Sequence, residues 1–374
     1  MKKMMKKQLS FVLMVLLPIS FIFVSCSSDD NPVSPVVEKT EFEMIQPAAD
    51  TYVAGSLAPV LTAQSLFDNI NDGNTSNDFV VLSVRGAADY AKGHIPGAIN
   101  IPWREIAKEA NLSLLSKSQP IAVYCYTGHT GSIATTLLNT LGYEAYNIKW
   151  GMMSWTKDQG VRVASAFNES VDAHDFAIET AENTATQTYD LAVTDFSTAT
   201  DDQTVLLAAA DYVATNITAA TSAQTLFDNL MDGNASNDPI VVSVRSAADY
   251  AKGHIPGAIN IPWKEIAKED NLKKLDPNKE IVVYCYTGHT GGVAAAALNL
   301  LGYKATNLKF GIMSWTKDAN VRVSKAFDES VDAHDFQVTS GSVPQFEPCQ
   351  HITVSHFLLM SKAGTAKIEQ TCEQ

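Results

Sequence analysis

A chain of 374 residues, 46% hydrophobic and 18% charged, is long enough for two domains of ordinary size, each able to bury a core of its own. Its formal net charge of −14 argues against nucleic acid and against attraction to anionic membrane surfaces. Its apolar and aromatic content excludes a disordered acidic chain.

Residues 1–25 read as a signal peptide. Lys2, Lys3, Lys6 and Lys7 form a basic start, and the apolar run over 11–24 is short for a membrane span. The run ends at Phe23-Val24-Ser25-Cys26, which resembles a bacterial lipoprotein cleavage box and makes Cys26 the expected lipidation site. Phe23 stands where Leu is usual, so ordinary signal-peptide cleavage is the alternative. Loss of residues 1–25 removes four lysines and no acids, taking the charge from −14 to about −18. That acidity suits a body held to a membrane by acyl chains alone. The expected location is extracytoplasmic, lipid-anchored to a bacterial cell membrane, with the outer membrane favoured. Residues 26–50 are polar, carry Pro32, Pro35 and Pro47, and read as a stalk.

The rest of the chain is a duplication. Residues 87–103 (AADYAKGHIPGAINIPW) recur unchanged at 247–263, and the heptapeptide CYTGHTG starting at Cys125 recurs at Cys285. The copies define a first domain over 51–176, a linker over 177–210, a second domain over 211–336 and an unassigned tail over 337–374. Within the linker, Thr-rich stretches alternate with apolar Leu191, Val193, Val205, Leu206 and Leu207, so part of it is expected to pack on the domains.

Within the first copy, Leu66, Phe67 and Ile70 have helical spacing over 63–70, and residues 79–84 (FVVLSV) form a buried-strand pattern. A short helix over 87–92 closes at Gly93, a short strand covers 98–101, and a helix over 103–109 follows Pro102. Residues 120–124 (PIAVY) predict a second apolar strand, 131–141 a helix closed by Gly142, and 145–148 a further strand. Helices alternating with continuous apolar strands predict an α/β fold, a mostly parallel sheet covered on both faces. Ligands gather at the carboxyl ends of such strands, where Cys125 falls.

The order strand, CYTGHT, helix puts the Cys125 thiol on a turn entering a helix. Unpaired N–H groups and the helix dipole there favour an anion, hence thiolate over thiol. Gly128 frees the backbone so that several N–H groups can converge on one centre. A thiolate in such a cradle can accept a transferable group and hand it on. A cysteine at a strand end is by itself more often a small buried hydrophobe. The polar Tyr126, Thr127, Gly128, His129 and Thr130, repeated as Tyr286, Thr287, Gly288, His289 and Thr290, point instead to a functional loop. Of the remaining cysteines, Cys349 and Cys372 lie in the tail, where the sequence leaves a disulfide open. There is no zinc-like CxxC spacing.

Residues 81–85 (VLSVR), Asp89 and Tyr90, residues 93–102 (GHIPGAINIP), the Cys125 loop, and Trp150, Gly151 and Trp155 together resemble a rhodanese domain. The second copy matches at 241–245, 249–262, Cys285 and 311–315. The resemblance implies two tandem three-layer rhodanese-like domains, each with helices on both faces of its sheet. It also implies loop cysteines that carry persulfide during sulfur transfer. Cys125 and Cys285 are then the nucleophiles, the backbone over 126–130 and 286–290 the cradle, and His129 and His289 sources of loop polarity or proton handling. No metal and no organic cofactor is implied. The implied partners are a small sulfur-containing anion or persulfide donor and a thiophilic acceptor, a thiol protein among the candidates. The alternatives are a non-catalytic binding module and a thiol–disulfide redox partner.

Two departures matter. Related cysteine phosphatases and arsenate reductases carry arginine six residues after the cysteine; here Gly131 and Gly291 stand there, which favours sulfur over phosphate. Many rhodaneses hold a loop cation, whereas here the titratable loop residue is His129 or His289, expected to be partly protonated near neutral pH. Ser83 and Ser243 replace the usual Asp before Val-Arg. Arg85 and Arg245 are expected to pair with Asp89 and Asp249 or to rim the pocket. His94 and His254 read as turn residues. Asp172-Ala-His174-Asp175 and its copy at 332–335 read as domain-closing loops rather than metal sites. Trp103, Trp155, Trp263 and Trp315 read as packing residues.

Overall fold

The computed structural model describes residues 38–341. The expected signal peptide, Cys26, Cys349, Cys372 and the tail beyond Gly341 lie outside the described residues.

The first element, helix α1 (Glu41–Ala54), begins in a capping box: Glu43 N–H donates to Thr40 Oγ1 at 3.3 Å, and Thr40 N–H donates back to Glu43 Oε2 at 2.8 Å. The stalk expected to run to residue 50 is therefore helical from Glu41. Pro47 inside α1 costs about 3 kcal/mol. Phe42, Ile45, Ala49 and Val53 line one buried face, and the three larger side chains offset that cost at about 1.5–3 kcal/mol each.

Each repeat then builds a five-stranded parallel sheet, the α/β architecture expected. In the first, β1 (Val60–Leu61), β2 (Val80–Ser83), β3 (Ile99–Asn100), β4 (Ile121–Tyr124) and β5 (Ala145–Ile148) stand in the order β1-β5-β4-β2-β3. In the second, β6 (Ala220–Thr221), β7 (Ile240–Ser243), β8 (Ile259–Asn260), β9 (Glu280–Tyr284) and β10 (Lys304–Leu308) repeat it as β6-β10-β9-β7-β8. Central strands β4 and, after exposed Glu280, β9 are apolar and buried because neighbours flank them on both edges and helices cover both faces. Three of the further helices position the site and the shared core: α2 (His129–Thr140), α3 (Asp202–Asn216) and α4 (His289–Leu300). Among the described residues no helix is long and apolar enough to cross a membrane.

The cores are not separate. Ile133, Ala134 and Leu137 of α2, Val293, Ala294 and Ala297 of α4, and the buried faces of α1 and α3 belong to one continuous hydrophobic cluster. The contacts are reciprocal, as in a two-fold dimer. Arg162 Nη1 donates to Glu329 Oε1 at 2.8 Å, and Arg322 Nη1 to Glu169 Oε2 at 3.1 Å. Ser132 of α2 meets its own copy, Gly292 of α4, so the pseudo-two-fold axis passes between them.

The segments after each repeat cross over. His174 and Phe176 donate backbone N–H bonds to Ser314 and Trp315, and Glu179 forms an antiparallel bridge with His254. Reciprocally, His334 and Phe336 donate to Ser154 and Trp155, and Thr339 bridges His94. Phe176 stacks on Phe227, and Phe336 on Phe67, each at 4.0 Å between ring centroids. The Asp172–Asp175 stretch, expected to close its own domain, thus leads onto the other repeat.

Candidate active site

The thiol of Cys125 follows β4 directly, and Gly128 at φ 90° turns the chain into α2. Few L residues adopt that conformation, and a Cβ at Gly128 would also run into the His289 ring. The turn aims the Gly128 N–H at Cys125 Sγ, 3.0 Å away; Gly288 N–H reaches Cys285 Sγ at 3.1 Å. Both cysteines are free, and both are 1% exposed.

The loop is clamped from behind. The Cys125 and Tyr126 carbonyls accept N–H bonds from Met152 and Met153, and Gly151 lies so close to the Cys125 carbonyl that a Cβ would collide with it. Asn147 Nδ2 and Ser132 Oγ both donate to the Gly128 carbonyl, at 2.8 and 2.9 Å. A Cβ at Gly131 would strike Asn147 Oδ1, and one at Gly291 would strike Asn307 Oδ1. At the position that carries arginine in cysteine phosphatases, any side chain would have to displace Asn147 or Asn307.

The polar loop residues divide by what they touch. Tyr126 donates to Asp89 Oδ2 at 2.7 Å and accepts the Gly86 N–H at 3.1 Å, which ties the loop to the turn after β2. Lys92, then Tyr126, hold the Asp89 carboxyl below its usual range; Lys252, then Tyr286, hold Asp249 down to about 2. Thr127 Oγ1 pairs with His129 Nδ1 at 2.8 Å, and Thr287 with His289 at 2.9 Å.

The expectation for the histidines is corrected. His129 Nε2 accepts the Phe310 N–H of the other repeat at 2.9 Å, and His289 Nε2 accepts that of Trp150 at 3.1 Å. An accepting Nε2 carries no proton, so Nδ1 bears it and donates to the threonine. Burial first, and Lys309 second, push His129 down to about 3. Burial, His129 and Lys149 hold His289 well below its usual range. Each ring is a neutral plug joining the repeats, with both nitrogens already bonded and neither left for proton handling.

The two arginines are also corrected. Arg85 and Arg245 are fully buried, so neither rims a pocket, and Asp89 and Asp249 pair with lysines instead. Arg85 reaches the carbonyls of Val161 and Gly93; Arg245 reaches those of Val321 and Gly253 at 2.9 and 2.6 Å. They lace strand-end turns to the core. The Ser for Asp exchange leaves its mark beside them: Arg85 Nε and Ser83 Oγ have no partner, and Arg245 Nε finds Ser243 Oγ only at 3.4 Å. His94, expected as a turn residue, instead bridges Thr339 beside the turn, with its Nδ1 3.0 Å from the Tyr90 carbonyl.

Beside Cys285 lies a cavity of about 440 Å³. Thr287, His289 and Thr290 line it from the loop, Lys325 from the same repeat, and Val60 and Lys149 from the first repeat. Sequence reasoning, confined to the loop, missed both lysines. One signal was available: Lys149, next to Trp150-Gly151, has an identical copy in Lys309. Among the described residues no cluster of three or more His, Cys, Asp or Glu could hold a metal ion.

A thiol seated at the end of a central parallel strand, bonded to an N–H at the mouth of the following helix, defines a class of α/β proteins built around a cysteine loop. The rhodanese-like domain model matches residues 62–158 and 222–318, and the chain belongs to the rhodanese-like family. It is 31% identical over 101 residues to the thiosulfate:glutathione sulfurtransferase of Saccharomyces cerevisiae, covering 24% of this chain and 73% of that protein. It is 35% identical over 85 residues to the 3-mercaptopyruvate sulfurtransferase of Escherichia coli, covering 19% and 30%. The thiosulfate sulfurtransferase structure from Pseudomonas aeruginosa aligns at 14% identity and a TM-score of 0.27, covering 82% of this chain and 50% of that one. The chain thus spans less than a third of the Escherichia coli relative, and 40% of another from Bacillus subtilis.

Proposed function

We propose that this chain is a sulfurtransferase in which Cys125 and Cys285 each carry sulfane sulfur as a persulfide. The observation that carries the reading is the Gly128 N–H on Cys125 Sγ, repeated at Cys285, at the start of a buried helix. The N–H on each sulfur is placed to hold a persulfide anion after transfer, while Asn147 and Asn307 occupy the space that a phosphate-binding arginine would enter. With thiosulfate, the thiolate attacks the outer sulfur and a Cys–S–S bond forms. The bond from that sulfur to the sulfonate breaks, and its electron pair leaves with sulfite. An acceptor thiolate then takes the terminal sulfur and returns the cysteine thiolate, so charge balances in both steps. Polysulfide or a persulfide serves as donor by the same attack.

Intact mass after incubation with thiosulfate or polysulfide tests the reading. The expected result is a sulfur adduct that Cys125→Ser and Cys285→Ser each reduce and the double variant abolishes. No adduct with any donor, and no thiocyanate when cyanide is the acceptor, would sink it in favour of a binding module. A mixed disulfide trapped with an oxidoreductase in place of persulfide would favour the redox reading.

We also propose that the body is extracytoplasmic and anchored through a lipidated Cys26, supported by the basic start and the apolar run ending at that cysteine. Labelled fatty acid should appear on Cys26; a mature N-terminus at another residue would contradict the anchor.

A further inference from the structure

The loops contain no Arg or Lys, yet a sulfane donor with an oxyanion end needs a cation within reach of the thiol. The cavity beside Cys285 supplies one from outside its own repeat. Lys149 follows β5 of the first repeat and lines the cavity that Cys285 opens onto. Its backbone is held by Lys149 N–H to the Leu61 carbonyl at 2.8 Å and by Ser154 Oγ to the Lys149 carbonyl at 2.7 Å. Lys309 has the same anchors in the second repeat, to Thr221 at 2.8 Å and from Ser314 at 2.9 Å.

Each lysine precedes a strained residue. Trp150 has φ 68° and Phe310 φ 63°, a conformation costly for bulky side chains. Both strained residues donate their N–H to the histidine of the opposite loop. The strain therefore sits where the chain hands the lysine across to the other repeat.

The cavity carries two ammoniums, Lys149 and Lys325, and two carboxylates that are already engaged by hydrogen bonds within their own segment. Asp328 accepts Ser330 N–H and Oγ at 2.8 and 2.6 Å, and Asp332 accepts the Asp328 N–H at 2.8 Å. Among the described residues neither Lys149 nor Lys325 forms an ion pair; Lys149 Nζ stands 5.5 Å from the Trp150 ring centroid. Lys325 adds a second ammonium that the Cys125 side lacks, where Ser165 is its counterpart.

We propose that each cysteine site is completed in trans: Lys149 of the first repeat is the anion-recognising residue for Cys285, and Lys309 of the second serves Cys125. The inference rests on the sulfurtransferase reading and adds its substrate class, sulfane donors that end in an oxyanion. Lys149 pairs with that end while the thiolate reaches the sulfane sulfur, and it holds the leaving sulfite-type anion as the S–S bond breaks.

The test uses the full chain and does not depend on turnover. Rates of alkylation by iodoacetate and by neutral iodoacetamide are followed at each cysteine by peptide mass spectrometry. Lys149→Gln should lower the iodoacetate to iodoacetamide ratio about three- to tenfold at Cys285 and leave Cys125 alone. Lys309→Gln should do the reverse, and Lys149→Arg should keep the wild-type ratio. In the wild type, added salt should slow iodoacetate at both thiols, whereas the acidic body as a whole would make salt speed it. Unchanged ratios, an effect on the same repeat only, or salt acceleration would overturn the proposal. Absence of a thiosulfate adduct with the crossed pattern intact would instead sink sulfur transfer and leave the anion sites standing.

Discussion

The two repeats share their cysteine loops to the residue and their strand order, yet diverge where α2 faces α4. Helix α2 carries Ser132, Thr135 and Thr136; α4 has Gly292, Ala295 and Ala296 in their place. The threonine hydroxyls are buried but bonded to carbonyls of their own helix, Thr135 to Gly131 at 3.0 Å and Thr136 to Ser132 at 2.8 Å. At the pseudo-two-fold axis the constraint is steric. A Cβ on Gly292 would lie 2.9 Å from Ser132 Cβ, so the two copies of this residue cannot both carry side chains without moving the helices. Duplication preserved the cysteine loops and the reciprocal contacts alike, and only where a residue meets its own copy at the axis do sterics oppose identical side chains.

The largest expected effect comes from removing one side of the comparison altogether. Residues 38–200 and 201–341, produced separately, should each lack a cooperative thermal transition, because one core spans both and each repeat's last aromatic packs on the other. A sharp near-ultraviolet melt from either piece would show that the repeats are independent.

Acid should come next. His129 and His289 are buried neutral, with folded pKa values below the ordinary 6.5. Between about 6.5 and about 3 the unfolded chain binds protons at His129 that the folded one refuses, so stability is full above that window and lost as pH falls through it. Asp89 and Asp249, held low, lose their contribution only below 3.8. The urea midpoint should therefore fall already between pH 6.5 and 4, and His129→Gln should flatten that slope. A flat wild-type profile in this range would contradict the neutral-plug geometry.

Smallest is the axis itself. Gly292→Ser gains about 0.5 kcal/mol of helix propensity but crowds Ser132, for a net loss of about 1–3 kcal/mol in denaturant unfolding. Adding Ser132→Gly should restore most of it, since the swap recreates the contact with the repeats exchanged. Additive losses in the double variant would mean that the axis contact does not set the choice.

Much of the cysteine loop was legible in the sequence, because its determinants are local. Apolar β4, Gly128 at the turn and the helical pattern after it are neighbours along the chain. Less legible was α1, where Pro47 reads as a breaker until the buried faces of Ile45 and Val53 are seen against a partner. His129 and Arg85 misled for one reason: charge state and exposure depend on which surfaces exclude water, and those surfaces come from residues 76 to 181 positions away.

By itself, the sequence determined the duplicated α/β architecture and the position of each thiol at a strand–helix junction, through periodicity, glycine placement and exact repetition. Only the tertiary structure decided that the repeats share one core, that their histidines are neutral plugs, and that Lys149 lines the cavity of Cys285. Those outcomes arise from desolvation and reciprocal packing across a pseudo-two-fold axis, which no local pattern encodes.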